Sequence, residues 1–148
     1  MSTLVEQVKD AVKDAMRSKA KERLAALRLI TAEFKRVEVD ERVEVDDARA
    51  LAILDKMTKQ RRDSIAQYLN AGREELAAVE QAEIDVISEF LPAALSEDEL
   101  NQLIADAIAQ SGAASMQDMG NVMGVLRPQV QGRADMALVS RLVKAQLG

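Results

Sequence analysis

The 148-residue sequence contains no cysteine, no histidine and no tryptophan, and only two prolines. Without cysteine there is no disulfide, no thiol nucleophile and no Cys/His zinc site. Without histidine there is no imidazole base, which excludes Ser-His-Asp and Cys-His mechanisms. Any chemistry would rest on carboxylates, Lys, Ser, Thr or the single tyrosine. Aromatic residues are 2% of the chain, namely Phe34, Tyr68 and Phe90. Aliphatic side chains, Met and Ala must therefore fill the core. No apolar run approaches the roughly 18 residues of a membrane span. The opening MSTLVEQVKDAVKDAM is charged every few residues and lacks the apolar stretch of a secretory signal. These features predict a cytoplasmic protein.

What is present favours helix. Hydrophobic residues make up 48% and charged residues 30%, with Ala, Leu, Glu, Lys, Arg and Gln abundant. Nothing combines period-two alternation with hairpin signals. Thr3 and Glu6 form a T-x-x-E capping box. Leu4, Val8, Val12, Ala15 and Met16 then share a face, and a break is expected within Arg17–Leu24. Leu24, Leu27, Ile30 and Phe34 mark a second helix. Val37–Asp47 alternates apolar and acidic residues in part, but a lone strand would have no partner, so it reads as a helix end and loop. Asp46 or Asp47 can cap a third helix, about Ala48–Asn70, with Leu51, Leu54, Met57, Ile65, Tyr68 and Leu69 inward. Asn70-Ala71-Gly72 is a helix stop. A fourth helix, about Arg73–Phe90, is expected to bury Leu76, Val79, Val86, Ile87 and Phe90 and to end at Pro92.

Ser96 and Glu99 form a second capping box, and Gly112 closes the helix that follows. Ser115 and Asp118 can cap the next, and the last begins near Asp135. The expected fold is all-α: an N-terminal four-helix domain, residues 1–92, followed by a small three-helix C-terminal domain, residues 93–148. At about 55 residues the second part is marginal for independent stability.

Charge directs attention to function. The net charge is −5, but residues 113–148 hold Arg127, Arg133, Arg141 and Lys144 against Asp118 and Asp135. That tail is net +2 and the remainder −7. Arg133 lies in GRAD beside a helix N-terminus, where backbone N–H groups favour an anion; it can equally be a solvated turn residue. In KMTKQRRDS, Lys56, Lys59 and Arg62 step by three, as a phosphate-contacting ridge or a solvated face would. Arg73 joins Lys59 and Arg62 as a second candidate ridge. Glu80 and Glu83 are three apart, but one helix without histidine supplies too few metal ligands, so neither metal nor cofactor is expected.

The segment SMQDMGNVMGVLRPQVQGRAD poses a sharper question. Met116, Met119, Met123 and Leu126 form a helical stripe that Val130 extends if the helix survives Pro128. Gly120 and Gly124 lie four apart on a neighbouring face. Each costs about 1 kcal/mol relative to Ala inside a helix. Either they allow close helix packing, the simpler reading, or they leave backbone open to a ligand. Gly132 reads as a turn residue.

RRDS (Arg61–Ser64), AGR (Ala71–Arg73), FLP (Phe90–Pro92), MGNVMG (Met119–Gly124) and GRAD (Gly132–Asp135) together resemble the GatB/YqeY family. These are stand-alone proteins related to the C-terminal part of the B subunit of the glutamine-dependent aspartyl/glutamyl-tRNA amidotransferase. The likeness covers nearly the whole chain. Family members more often have tyrosine before LP and glycine after GRAD, where this chain has Phe90 and Met136. The resemblance implies an all-helical protein with a small three-helix C-terminal domain and a link to carbon–nitrogen ligase chemistry with glutamine as amide donor. It also implies a tRNA-holding role for the tail, with a catalytic amidotransferase subunit as a partner. No phosphate-cradling glycine loop, ATP signature or nucleophile-base pair accompanies it. The expectation is therefore an accessory tRNA-binding module without its own catalytic residues. A helical protein–protein adaptor with no RNA role is the alternative.

Overall fold

The computed structural model describes residues 3–148, which form seven α-helices and no strand. They are α1 Leu4–Arg17, α2 Lys21–Glu41, α3 Asp47–Asn70, α4 Glu74–Ser88, α5 Glu97–Ser111, α6 Met119–Val130 and α7 Met136–Leu147. A 3-10 turn, Met116–Asp118, leads into α6. The chain divides into two compact units between Leu91 and Pro92.

Local signals place the helix ends. Thr3 Oγ1 accepts from the Glu6 N–H while the Glu6 carboxylate accepts from the Thr3 N–H, closing the capping box at both 3.2 Å. Ser96 and Glu99 repeat the arrangement at α5. Asp46, rather than Asp47, caps α3 by accepting from the Arg49 N–H at 2.8 Å. The neighbouring Asp47 instead accepts from the Leu4 N–H at 2.9 Å, tying the start of α1 to the start of α3. Gly112 ends α5 at φ +70°, a left-handed cap that costs glycine little.

In the first unit the core is Val8, Ala15, Leu27, Ile30, Phe34, Val37, Val45, Ala50, Ile53, Leu54, Met57 and Ile87. α3 packs most extensively on α4, and α1 on α2. Three residues expected inward are exposed instead: Met16, Leu69 and Val79. Ala15 takes the buried position beside Met16, and Leu69 lies in the last turn of α3. α4 buries Ala77, Ile84 and Ile87. At 100° per residue Val79 stands about 200° from Ala77, on the far side.

The second unit has its own core, formed by Leu100, Ile104, Ala107, Val122, Met123, Leu126, Val130, Val139 and Val143. α6 continues through Pro128, and Val130 is fully buried. Met116 falls outside α6 and is exposed, so the methionine stripe begins one turn later than expected.

Candidate nucleic-acid interface

On α6 one face carries the core residues Val122, Met123, Leu126 and Val130. Gly120, Gly124 and Arg127, at i, i+4 and i+7, fall on another. A Cβ built on Gly120 or Gly124 would meet nothing within 4 Å. Close helix packing, the simpler expectation for these glycines, is therefore not their role among the described residues. They leave a strip of exposed helix backbone instead, and Arg127 stands beside it. Arg127 is exposed, and its side chain makes no hydrogen bond or ion pair to any described residue.

Arg133 is more occupied. Gly132 adopts φ +76° and turns the chain between α6 and α7. The Arg133 N–H donates to the Val130 carbonyl at 2.9 Å, and its carbonyl accepts from the Leu95 N–H at 2.9 Å. Its Nε donates to the Ala93 carbonyl at 3.1 Å. Arg133 thus clasps the segment entering α5 to the α6–α7 turn. Nearby, the Glu99 carboxyl lies below its ordinary range, first because Ser96 hydrogen-bonds it and least because of the Arg133 charge. Asp135 caps α7 through the Ala137 N–H at 3.1 Å. Arg141 and Lys144, one turn apart on α7, are exposed and unpaired among the described residues. The second unit therefore places two cations flanking or within one turn, Arg127 and Arg133, and two more along the helix that leaves it.

The basic cluster of α3 divides into different roles. Lys59 and Arg62 are exposed and make no ion pair among the described residues. Arg61 turns inward, its Nε donating to Glu83 Oε2 on α4 at 2.7 Å. Lys56 lines a polar cleft of about 280 Å³ between α2 and α3 with Arg36, Arg49, Glu33 and Glu41. Arg36 and Arg49 are already paired there, with Glu33 and Glu41. Glu33 is held below the usual glutamate range, chiefly by its hydrogen bond from Arg36. Arg73 pairs with Glu75 at 2.8 Å, which lowers the Glu75 pKa and leaves Arg73 with less charge to offer a phosphate. Glu83, one of two carboxylates considered for a metal, is committed to Arg61. No group of three or more Asp or Glu among the described residues could hold a metal ion.

Sequence reasoning passed over one cationic region. From Arg17 to Arg28 there are five cations and one carboxylate. Arg17 pairs with Asp14 at 3.4 Å and Arg23 with Glu89. Lys19, Lys21 and Arg28 are exposed and unpaired among the described residues. A charge count over a sliding window would have found it; attention to the break between helices hid it.

Comparison with known proteins finds similarity along nearly the whole chain. The family model described as Yqey-like protein matches residues 5–147. A protein of Pyrenophora tritici-repentis named altered inheritance of mitochondria protein 41, mitochondrial, is 30% identical over 141 residues, covering 93% of this chain and 77% of its own length. The protein of the same name from Meyerozyma guilliermondii is 32% identical over 130 residues, covering 84% of this chain and 66% of its own length. The chain thus spans about two thirds to three quarters of these relatives. No helix among the described residues is long and apolar enough to cross a membrane.

Proposed function

The chain belongs to the YqeY-like family, and from that premise we propose that it is an accessory RNA-binding module that holds tRNA by its phosphate backbone. It would serve the amide-transfer chemistry of the wider GatB/YqeY group, carbon–nitrogen ligation with glutamine as amide donor, beside a catalytic subunit and without catalytic residues of its own. The observation that supports this reading is the uncovered backbone at Gly120 and Gly124 with the unpaired Arg127 one turn further on. An exposed glycine inside a helix, as Gly124 is, is unfavourable. Close approach of a sugar–phosphate strand to the helix, with Arg127, Arg141 and Lys144 as phosphate contacts, offsets that cost. Recognition would be by shape and charge, because A-form RNA presents little readable sequence and this chain has almost no aromatic residues for base stacking. Arg133 would act mainly by fixing the turn, and Lys59 and Arg62 would form a second contact ridge.

The relatives' names place those proteins in mitochondria. For this chain we propose the aqueous compartment in which aminoacyl-tRNA is handled, the cytoplasm or, following those relatives, the mitochondrial interior.

The test is fluorescence anisotropy of labelled tRNA titrated with the full chain at low and near-physiological salt. Salt-sensitive binding that weakens in Arg127→Ala supports the reading. Absence of binding even at low salt overturns it and leaves the protein-adaptor reading in its place.

A further inference from the structure

The outer face of α2 combines cations with small residues. Lys21, Arg28 and Lys35 stand at i, i+7 and i+14, so at 100° per residue they lie within about 40° of one another. Ala25 and Ala32 lie in the same stripe between them, Val39 continues it, and all six residues are exposed. The buried Leu27, Ile30, Phe34 and Val37 occupy the opposite side of the helix. Three cations are therefore held in a line about 21 Å long, at 1.5 Å per residue, by a helix whose back is fixed in the core.

No carboxylate interrupts that stripe. The acids of α2 are Glu22, Glu33, Glu38, Asp40 and Glu41, and helical periodicity puts them on the flanks or the back. Glu33 and Asp40 pair with Arg36, and Glu41 with Arg49. Neither Lys21 nor Arg28 has an acidic residue three or four positions away, the spacing at which a helix pairs opposite charges. Lys35 has Glu38 at i+3 but makes no ion pair with it. All three side chains are unpaired among the described residues, as is Lys19 in the turn before α2. The charges also run against the helix dipole. Lys19 and Lys21 sit at the N-terminal end of α2, where positive charge is disfavoured, and the last turn has no basic residue. They do not stabilise the helix itself, and a ligand outside it gives them a use.

The chemistry of the stripe selects that ligand. Lys and Arg side chains only donate hydrogen bonds, and those of Ala and Val have no polar atom. The stripe thus presents donors and no side-chain acceptor. A nucleic-acid strand is the complementary surface, a row of phosphate acceptors of one charge. The alanines between the cations let such a strand come close. The whole chain carries −5, so a polyanion approaches only where positive charge is concentrated.

We propose that the outer face of α2 is a phosphate-contacting ridge for the tRNA backbone, formed by Lys21, Arg28 and Lys35, with Lys19 extending it at the start of the helix. The proposal rests on the tRNA reading above and adds the first unit to the contact surface.

The experiment measures anisotropy of labelled tRNA with the full chain across a salt series. The double variant Lys21→Gln, Arg28→Gln reduces the slope of log affinity against log salt by about two, and adding Lys35→Gln reduces it by about three. Glutamine keeps helix propensity, and circular dichroism shows unchanged helix content. The control Lys9→Gln, Lys13→Gln removes the same charge from α1 and changes the slope by less than half as much. Equal losses in the two double variants, or an unchanged slope in the triple variant, overturn the ridge, while weaker binding by Arg127→Ala in the same series keeps the tRNA reading. Loss in the ridge variants with undiminished binding by Arg127→Ala supports the ridge and overturns the contact assigned to α6. Absence of binding by the wild type at any salt overturns both.

Discussion

Arg61 and Glu83 form the most enclosed ion pair among the described residues, with side chains 14% and 21% exposed and Nε to Oε2 at 2.7 Å. The same guanidinium donates from Nη1 to the Met57 carbonyl at 3.2 Å. One arginine thus ties α4 to α3 and satisfies a backbone oxygen of its own helix. Removing either partner leaves the other charge partly desolvated. We expect Arg61→Ala or Glu83→Ala to cost about 1–3 kcal/mol, between exposed and fully buried pairs. Chemical denaturation of both single variants and the double variant reads the coupling. A coupling energy near zero would remove this pair from the fold's supports. tRNA affinity should not change, because the charge of Arg61 is already committed.

Gly120→Ala and Gly124→Ala separate stability from binding. No neighbour obstructs the added methyl, so Gly124→Ala should stabilise the second unit by up to about 1 kcal/mol, and Gly120→Ala, in the first turn of α6, by less. In a unit of this size the larger gain raises Tm by roughly 4–8 °C. If the exposed backbone meets RNA, tRNA affinity falls in the same variants. Calorimetry and anisotropy on one preparation decide it, and a gain in stability with unaltered affinity would deny these glycines a binding role.

The arginines should differ in salt dependence. Arg127→Ala and Arg141→Ala are each expected to weaken tRNA binding and reduce the slope of log affinity against log salt by about one. Arg73→Ala, already paired to Glu75, should leave the slope nearly intact. Arg133→Ala should lower Tm as well as affinity, because it releases the clasp to Ala93.

The second unit should fold alone. It buries Leu100, Ile104, Leu126, Val130, Val139 and Val143 in one cluster, enough for a cooperative transition despite its length. Residues 93–148 expressed separately should show a single thermal melt by circular dichroism. Leu126→Ala should cost about 2–5 kcal/mol and abolish that melt. A broad, non-cooperative loss of signal in the unmodified fragment would mean that the unit depends on the rest of the chain.

Acid should act on the α5 cap. Ser96 hydrogen-bonds Glu99 and, with the Ser96 N–H, lowers its pKa below the ordinary value of 4.5. The folded chain then holds this carboxyl ionised where the unfolded chain would protonate it. The contribution is complete above about pH 4.5 and is lost as pH falls through the lowered folded value. NMR titration of the Glu99 side chain should show the depressed midpoint, and Ser96→Ala should move it upward.

Much of this protein was legible in local pattern. Thr3 with Glu6, Ser96 with Glu99, Asp46, Gly112 and Gly132 work through bonds or backbone angles within a few residues, so their spacing alone announced the helix ends. The seven helices followed. The exposed Met16, Leu69 and Val79 were misread because an apolar residue on a stripe's edge has the same spacing whether or not another helix covers it.

The candidate site was legible only as a set of cations. Sequence determined where the charges and glycines lie along each helix, because helical periodicity is a local property. Tertiary structure alone decided which cations remain to meet a ligand. Arg61 is spent on Glu83, 22 residues away, and Arg23 on Glu89, 66 residues away, while the side chains of Arg127, Arg141 and Lys59 have no such partner among the described residues. It also decided that no described residue covers Gly120 and Gly124. Pairing and coverage depend on which helices pack together, and no count along a single helix contains that information.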